Sequence, residues 1–396
     1  MQLTPAQPFS FTALPRLAFV HDNFLQQGGA ERVAEVIANS LPAADLFTTA
    51  LLADKIPLSL AQRRIRHSFM SRMPGLRKYY RHYFLLYTLA AASLPLSKYD
   101  VIVSSCCGFA KMIRPRRDSV HICYCHTPTR WIWRFEDYAA REHFSTATRS
   151  ILKLITSLLR SADLYAAKKT DFFLANSRNV AERIHEFYGR DAVVLHPPVE
   201  CRRFQVSYSC DDSYLIVSRL ISYKRIDLAI EACEKLGRKL IIVGDGPDRK
   251  RLESLAGPNT VLTGRLSDEE VSRAFQNCRA LLFPGEEDFG MTPLEANASG
   301  KPCIAFGRGG ALESVIEGST GILFSEPTAD SMAEAILRCE SQTWNPDQLR
   351  AHAELFDTSV FTDSFLQIIS VMTAEKMRSV MPVSRVVASG QSVPNV

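Results

Sequence analysis

Two carboxylates and two cations in the second half of the chain have the types and spacing for chemistry on a phosphate-bearing sugar. Glu287 and Glu295, with seven residues between them, lie within Phe283-Pro284-Gly285-Glu286-Glu287-Asp288-Phe289-Gly290-Met291-Thr292-Pro293-Leu294-Glu295. Pro293 suits the first turn of a helix beginning near Thr292, where its missing N–H would have no partner anyway. The loop Phe289–Met291 then offers backbone N–H groups, and the helix dipole favours a bound phosphate. Glu287 precedes the helix and Glu295 lies one turn inside it. One carboxylate can reach a sugar hydroxyl while the other reaches a ribose. Two surface carboxylates arise easily by chance, but not inside this whole frame.

Arg219 and Lys224 stand five apart in Ser218-Arg219-Leu220-Ile221-Ser222-Tyr223-Lys224-Arg225, a loop leading into a helix from about Arg225. Together they could hold a diphosphate, Arg as a planar fork and Lys as a point charge. A solvated basic loop has the same composition. His126, in Cys125-His126-Thr127-Pro128-Thr129-Arg130, follows an apolar run. At a strand's C-terminal end it could donate to a sugar hydroxyl, or it could simply pack or cap a helix. Gly28 and Gly29 open the amphipathic stretch Ala30–Leu41 just after another apolar run. Such a turn lets backbone N–H groups approach a phosphate, although an ordinary glycine turn reads the same. Val243-Gly244-Asp245-Gly246-Pro247 reads as a common strand-to-helix turn with Pro early in the helix.

Positioning these groups takes alternating strands and helices. The apolar runs predict strands over Leu17–His21, Asp45–Thr49, Val101–Ser104, Val120–Cys125 and Phe172–Ala175. A second series covers Tyr214–Ser218, Leu240–Val243, Thr260–Leu262, Ala280–Phe283 and Cys303–Phe306. Amphipathic stretches between them imply parallel sheets covered by helices, an α/β fold. His196-Pro197-Pro198-Val199 loses two backbone donors and reads as a connector. The predicted organisation is therefore two Rossmann-like domains, 1–199 and 200–358, with a cleft between them. A helix at 359–375 would pack back on the first domain, and 384–396 would be a disordered tail.

At 396 residues the chain has room for two cores, and 46% hydrophobic with 22% charged residues is a soluble globular profile. No apolar run reaches the ~20 residues a membrane-spanning helix needs, and the start does not read as a signal peptide. The ten cysteines form no paired CxxC motifs and read as buried reduced thiols of a cytoplasmic protein. A net charge of +5 says little about partners, and nothing in the chain suggests nucleic acid. Its distribution is more telling. From Lys55 to Tyr99 there is no acidic residue, and residues 63–85 mix cations with aromatics, as in Arg77-Lys78-Tyr79-Tyr80-Arg81. That composition suits an anionic membrane surface, or equally a solvated helix with a buried aromatic face.

With these pieces in place, the chain resembles the retaining GT-B glycosyltransferases numbered family 4, from Leu17 to about Ile369. The most specific part is Glu287 to Glu295 with Phe289-Gly290 between, followed by Gly300-Lys301-Pro302 and Gly309-Gly310. Cys125-His126-Thr127-Pro128-Thr129-Arg130-Trp131 and Ser218-Arg219-Leu220 with Lys224-Arg225-Ile226-Asp227 look closest to bacterial mannosyltransferases of surface-polysaccharide (O-antigen or exopolysaccharide) assembly. The resemblance implies that Gly28 and Gly29 approach the donor β-phosphate while Arg219 and Lys224 neutralise the diphosphate. It implies that Glu287 holds donor-sugar hydroxyls, Glu295 the ribose, and His126 the sugar near the reacting centre. Gly264 and Leu266 would line the base, and Phe289, Gly290, Met291 and Thr292 would complete the donor site. Many relatives have Gly where this chain has Arg225, which leaves the backbone there open.

The resemblance further implies mannose transfer from GDP-mannose to a polyprenyl-diphosphate-linked saccharide, with peripheral attachment at the inner face of the cytoplasmic membrane. With no Asp-x-Asp motif, transfer without metal is expected, and no cofactor. A UDP-sugar donor and a GT-B sugar-nucleotide epimerase are the alternatives. A nicotinamide-dependent dehydrogenase lacks its full G-x-G-x-x-G, and a silent binding protein would have little use for the four charged residues.

Overall fold

The computed structural model describes residues 15–135 and 146–380. The expected tail at 384–396 lies outside the described residues. Thirteen strands appear among them, in two sheets. The first has seven strands in the order β3-β2-β1-β4-β5-β6-β7. They are β1 (Leu17–Phe24), β2 (Asp45–Leu51), β3 (Ile65–His67), β4 (Val101–Cys106), β5 (Val120–Cys125), β6 (Phe172–Ala175) and β7 (Val193–Val194). β1 runs parallel to both neighbours, with His21 opposite Thr48 on β2 and Ser105 on β4.

The second sheet has six strands in the order β10-β9-β8-β11-β12-β13. These are β8 (Ser213–Val217), β9 (Lys239–Val243), β10 (Thr260–Gly264), β11 (Ala280–Phe283), β12 (Cys303–Phe306) and β13 (Gly321–Phe324). Every expected strand forms, most with ends shifted by one to three residues. β3, β7 and β13 are additional. They are two to four residues long, too short for a periodic signal. The helix expected at Pro247 begins two residues later, as Arg249–Leu255, because Gly246 and Pro247 are spent in the turn.

The second sheet is apolar on both faces, as parallel strands between helices must be. Tyr214, Ile216, Leu240, Ile242, Leu282 and Ile304 pack on one side with residues of helices Ile226–Leu236 and Ala329–Glu340. The alternate residues Leu215, Leu281, Cys303 and Ala305 pack on the other with Leu294, Ala298 and Ala353. The period of two thus divides each strand between two cores.

By its internal packing the chain divides into two compact units. One comprises the described residues up to Tyr124, Ser161–Phe173 and those from Leu366 on; the other comprises Cys125–Arg160, as far as described, and Leu174–Phe365. The C-terminal helix spans Thr358–Val380, and Lys376 in its last turns meets Asp171 at 2.9 Å within the first unit. Eight cysteines are buried, while Cys107 and Cys210 are exposed; all ten thiols are free. No helix among the described residues is long and apolar enough to cross a membrane.

Candidate functional site

In the second sheet the strand order reverses between β8 and β11, and such a switch point opens a crevice at the strands' C-terminal ends. The loops that leave those two ends carry Arg219 and Lys224 on one side and Glu286, Glu287 and Asp288 on the other. A cavity of about 10 Å³ lies there, lined by Ser218, Lys224, Pro284, Gly285 and Glu287 among others. Lys224 Nζ is ion-paired with Glu287 Oε1. Burial works against the ammonium charge, but Glu287 and Tyr223 together hold the Lys224 pKa above its ordinary value. Two residues expected on different parts of a donor therefore meet directly.

Gly285 makes that meeting possible. A Cβ on it would stand 2.8 Å from Lys224 Cα and 3.0 Å from the carbonyl oxygen of Tyr223. Only a hydrogen lets the two loops touch. Gly244 has a similar task one strand over: with φ at +138°, its Cβ would lie 1.8 Å from the Ser218 carbonyl oxygen. Val243–Pro247 is the strand-to-helix turn expected, and it packs closely against the loop bearing Arg219. Leu220 N donates to Asp245 O at 3.1 Å and Ser218 N to Val243 O at 3.0 Å.

Arg225 settles the backbone question raised by its departure from the relatives' Gly. It adopts the left-handed conformation, φ 50° and ψ 39°, the only non-glycine among the described residues with positive φ. Its Nε lies 3.3 Å from both carboxylate oxygens of Asp227. The helix begins at the next residue, Ile226.

The remaining donor-side residues fall around the same loops. Arg219 is exposed beside Ser218. Helix Met291–Ala298 starts at the expected place, with Met291 and Thr292 in its first turn and Glu295, half-buried, in its second. Phe289 is buried and stacks on His196 with ring centroids 5.0 Å apart, while Gly290 has φ 97°. Gly264 O accepts from Gly244 N at 2.8 Å, and Leu266 is partly buried against the core. His126 is buried just past β5. Lys301 is a structural cation instead, buried with its Nζ donating to Ser209 O at 2.5 Å.

Charges that carried no assignment in the sequence also gather here. Arg130 Nη2 meets Asp288 Oδ2 at 2.7 Å, and Arg183 is paired with Asp288 Oδ1 and, at 3.3 Å, with Glu286. Arg130 and Lys224 both lie over the Tyr223 ring, 5.1 and 5.5 Å from its centroid. Burial pushes the Tyr223 hydroxyl pKa up. Glu313 accepts from Arg178 N, Asn179 N and His196 Nε2 at 2.9, 3.2 and 2.9 Å. The sequence signal for such partners was the run of three acids, which needs cations from elsewhere in the chain.

Gly28 and Gly29 belong to the first unit. There the order reverses between β1 and β4, and helix Gly29–Ser40 starts beyond β1 with Gly28 as its N-cap. The position where an anion would approach Gly28 already has a tenant. A Cβ on Gly28 would lie 3.0 Å from Glu31 Oε2, and Glu31 is buried. Burial raises its pKa to about 7, against hydrogen bonds from its own N–H, Gln26 and the Gly28 N–H. Nearby, Asp22 accepts from the backbone N–H groups of Cys107, Phe109 and Ala110 at 2.6, 2.9 and 2.5 Å. It ties the end of β1 to the loop after β4.

Known proteins share parts of this sequence and its fold. Residues 27–203 match the model of Glycosyltransferase Family 4, and residues 202–355 match that of Glycosyl transferases group 1. A GDP-mannose-dependent alpha-mannosyltransferase of Corynebacterium glutamicum is 31% identical over 39% of this chain and 39% of its own length. The alpha-1,3/1,6-mannosyltransferase ALG2 of Homo sapiens is 27% identical over 65% of this chain and 68% of its own. The chain spans half or less of the length of most curated relatives it matches. Among solved structures, Anabaena Alr3699/HepE in complex with UDP superposes with a TM-score of 0.68 at 18% identity. That match covers 90% of this chain and all of the other, and it establishes the shared GT-B fold.

Proposed function

Because this chain belongs to the GT-B glycosyltransferases that those two family models describe, we propose that it transfers a hexose from a nucleotide sugar with retention at the anomeric carbon. The observation that carries this reading is the Lys224–Glu287 pair at the switch point between β8 and β11. A donor diphosphate there takes the ammonium as counter-ion and frees Glu287 to accept hydrogen bonds from sugar hydroxyls. Arg219 adds a second cation, and helix Met291–Ala298 directs its positive end at the same loop. These groups stabilise the negative charge that builds on the departing phosphate. The leaving phosphate in turn accepts the acceptor hydroxyl's proton on the same face of the sugar, and no metal is needed.

The donor we propose is GDP-mannose, supported by relatives named for that donor in Corynebacterium glutamicum and Mycolicibacterium smegmatis. The acceptor we propose is a lipid-linked oligosaccharide of surface-polysaccharide assembly, in line with the relative named O-antigen chain mannosyltransferase C of Escherichia coli. Within the basic stretch, Arg63 is committed to the carbonyls of Ala38, Leu41 and Ala44, and Arg77 to Asp54. Arg64, Arg72, Lys78 and Arg81 are exposed and are the residues we propose face anionic lipid. Thermal shift against GDP, UDP, ADP and their sugar conjugates tests the donor, because a ligand selective for the native state raises Tm. Stabilisation by UDP-glucose but not GDP-mannose would overturn the donor assignment. Loss of transfer in EDTA, restored by Mg²⁺, would overturn the metal-free route.

A further inference from the structure

Three successive carboxylates, Glu286, Glu287 and Asp288, leave β11 in a single loop. Adjacent carboxylates taken partly out of water repel one another, and cations placed around them offset that repulsion. Four cations meet the three acids here: Lys224 on Glu287, Arg130 on Asp288, Arg183 on Asp288 and Glu286, and Arg134 on Glu286 at 3.8 Å. The pairing alternates. Glu286 and Asp288 share Arg183, while Glu287 between them turns the other way, toward Lys224 and the cavity.

Asp288 is the hinge of this arrangement. Each of its carboxylate oxygens takes one arginine, and Arg183 is buried, so their contact is shielded from water. Its carbonyl accepts from Ser177 Oγ at 2.6 Å, and the neighbouring Glu287 carbonyl accepts from Gly310 N at 2.8 Å. Arg130 also senses Glu287. Burial acts to lower its pKa, but the charges of Asp288 and then Glu287 hold it above its ordinary value. With Asp288 neutral, Glu287 would be the remaining carboxylate drawing Arg130 across the Tyr223 ring.

We propose that Asp288 is a positioning residue: by binding Arg130 and Arg183 it keeps the Arg130 guanidinium off Glu287 and turns Glu287 toward the donor sugar. It touches no substrate itself. This rests on the glycosyltransferase reading above and sharpens it. Selectivity for the sugar half of the donor depends on which cation Glu287 faces.

The test compares wild type with Asp288→Asn, Arg130→Gln and the double variant. Each is measured for affinity to GDP, affinity to GDP-mannose, and transfer rate. Asp288→Asn is expected to lower kcat/KM by about 30-fold and GDP-mannose affinity by about tenfold, with GDP affinity changed less than about threefold. The double variant should recover about tenfold over Asp288→Asn, because the freed guanidinium is gone. Equal loss of GDP and GDP-mannose affinity, or no recovery in the double variant, would overturn the proposal. If Asp288→Asn fails to fold because Arg183 is left with too little counter-charge, Asp288→Asn/Arg183→Gln replaces it with the same expectations. Wild type that binds neither GDP, UDP nor their sugar conjugates would instead overturn the functional reading on which the proposal rests.

Discussion

Glu31 sets a measurable pH dependence, and its size follows from its burial. The side chain is 6% exposed and its carboxyl titrates near 7 in the folded chain, against an ordinary 4.5. Between those values the folded state keeps a proton that the unfolded chain has released. The stabilisation is therefore complete below pH 4.5 and is lost as pH rises through about 7. At about 1.4 kcal/mol per pH unit, the gap amounts to about 3 kcal/mol. Glu31→Gln keeps the shape and an acceptor oxygen for the Gly28 N–H but cannot ionise. The variant and wild type should melt together near pH 4.5. By pH 8 the variant should be more stable by about 3 kcal/mol, a Tm higher by about 6–12 °C if the transition follows a unit of ordinary domain size. Subtracting the two curves removes every other titrating group, so thermal melts at four pH values suffice. Parallel curves from pH 4.5 to 8 would refute the burial argument.

Other expectations test separate parts of the structure. Arg219→Ala and Lys224→Ala should each lower kcat/KM by roughly two orders of magnitude, about 3 kcal/mol of transition-state stabilisation; near-wild-type rates in both would end the diphosphate assignment. Gly285→Ala should force the Lys224 and Glu287 loops apart, costing about 1–3 kcal/mol in urea unfolding together with donor affinity. Arg225→Val should destabilise the chain by at least about 1 kcal/mol relative to Arg225→Gly, because a β-branched residue resists positive φ; equal midpoints would contradict the left-handed assignment. His21 and His121 are buried, and desolvation lowers both to about 4 from 6.5. Their contribution is present above pH 6.5 and lost as pH falls toward 4, so His121→Gln should reduce the acid-induced loss by about 3 kcal/mol in melts.

Much of the fold was legible because strands buried on both faces leave long apolar runs. Val120–Cys125, Phe172–Ala175, Ala280–Phe283 and Cys303–Phe306 match observed strands end to end. So was the frame of the site, since Gly, Pro and paired carboxylates keep a fixed spacing around a helix start. Local chemistry also placed Lys224 and Glu287 in loops at strand ends.

What the sequence could not carry was partnership. Which cation meets Glu287, why Asp288 needs Arg130 and Arg183, and what occupies the Gly28 turn all depend on residues far apart in the chain. Arg183 and Asp288 are 105 positions apart, yet they share an ion pair. A turn that looked ordinary, Gly244 to Pro247, proved to be shaped by the Ser218 carbonyl across the sheet. Spacing and propensity act within a turn or two of chain, so they decide which elements form and where reactive groups sit along them. Burial, close backbone approach and charge pairing act through space, and only the packed chain decides those.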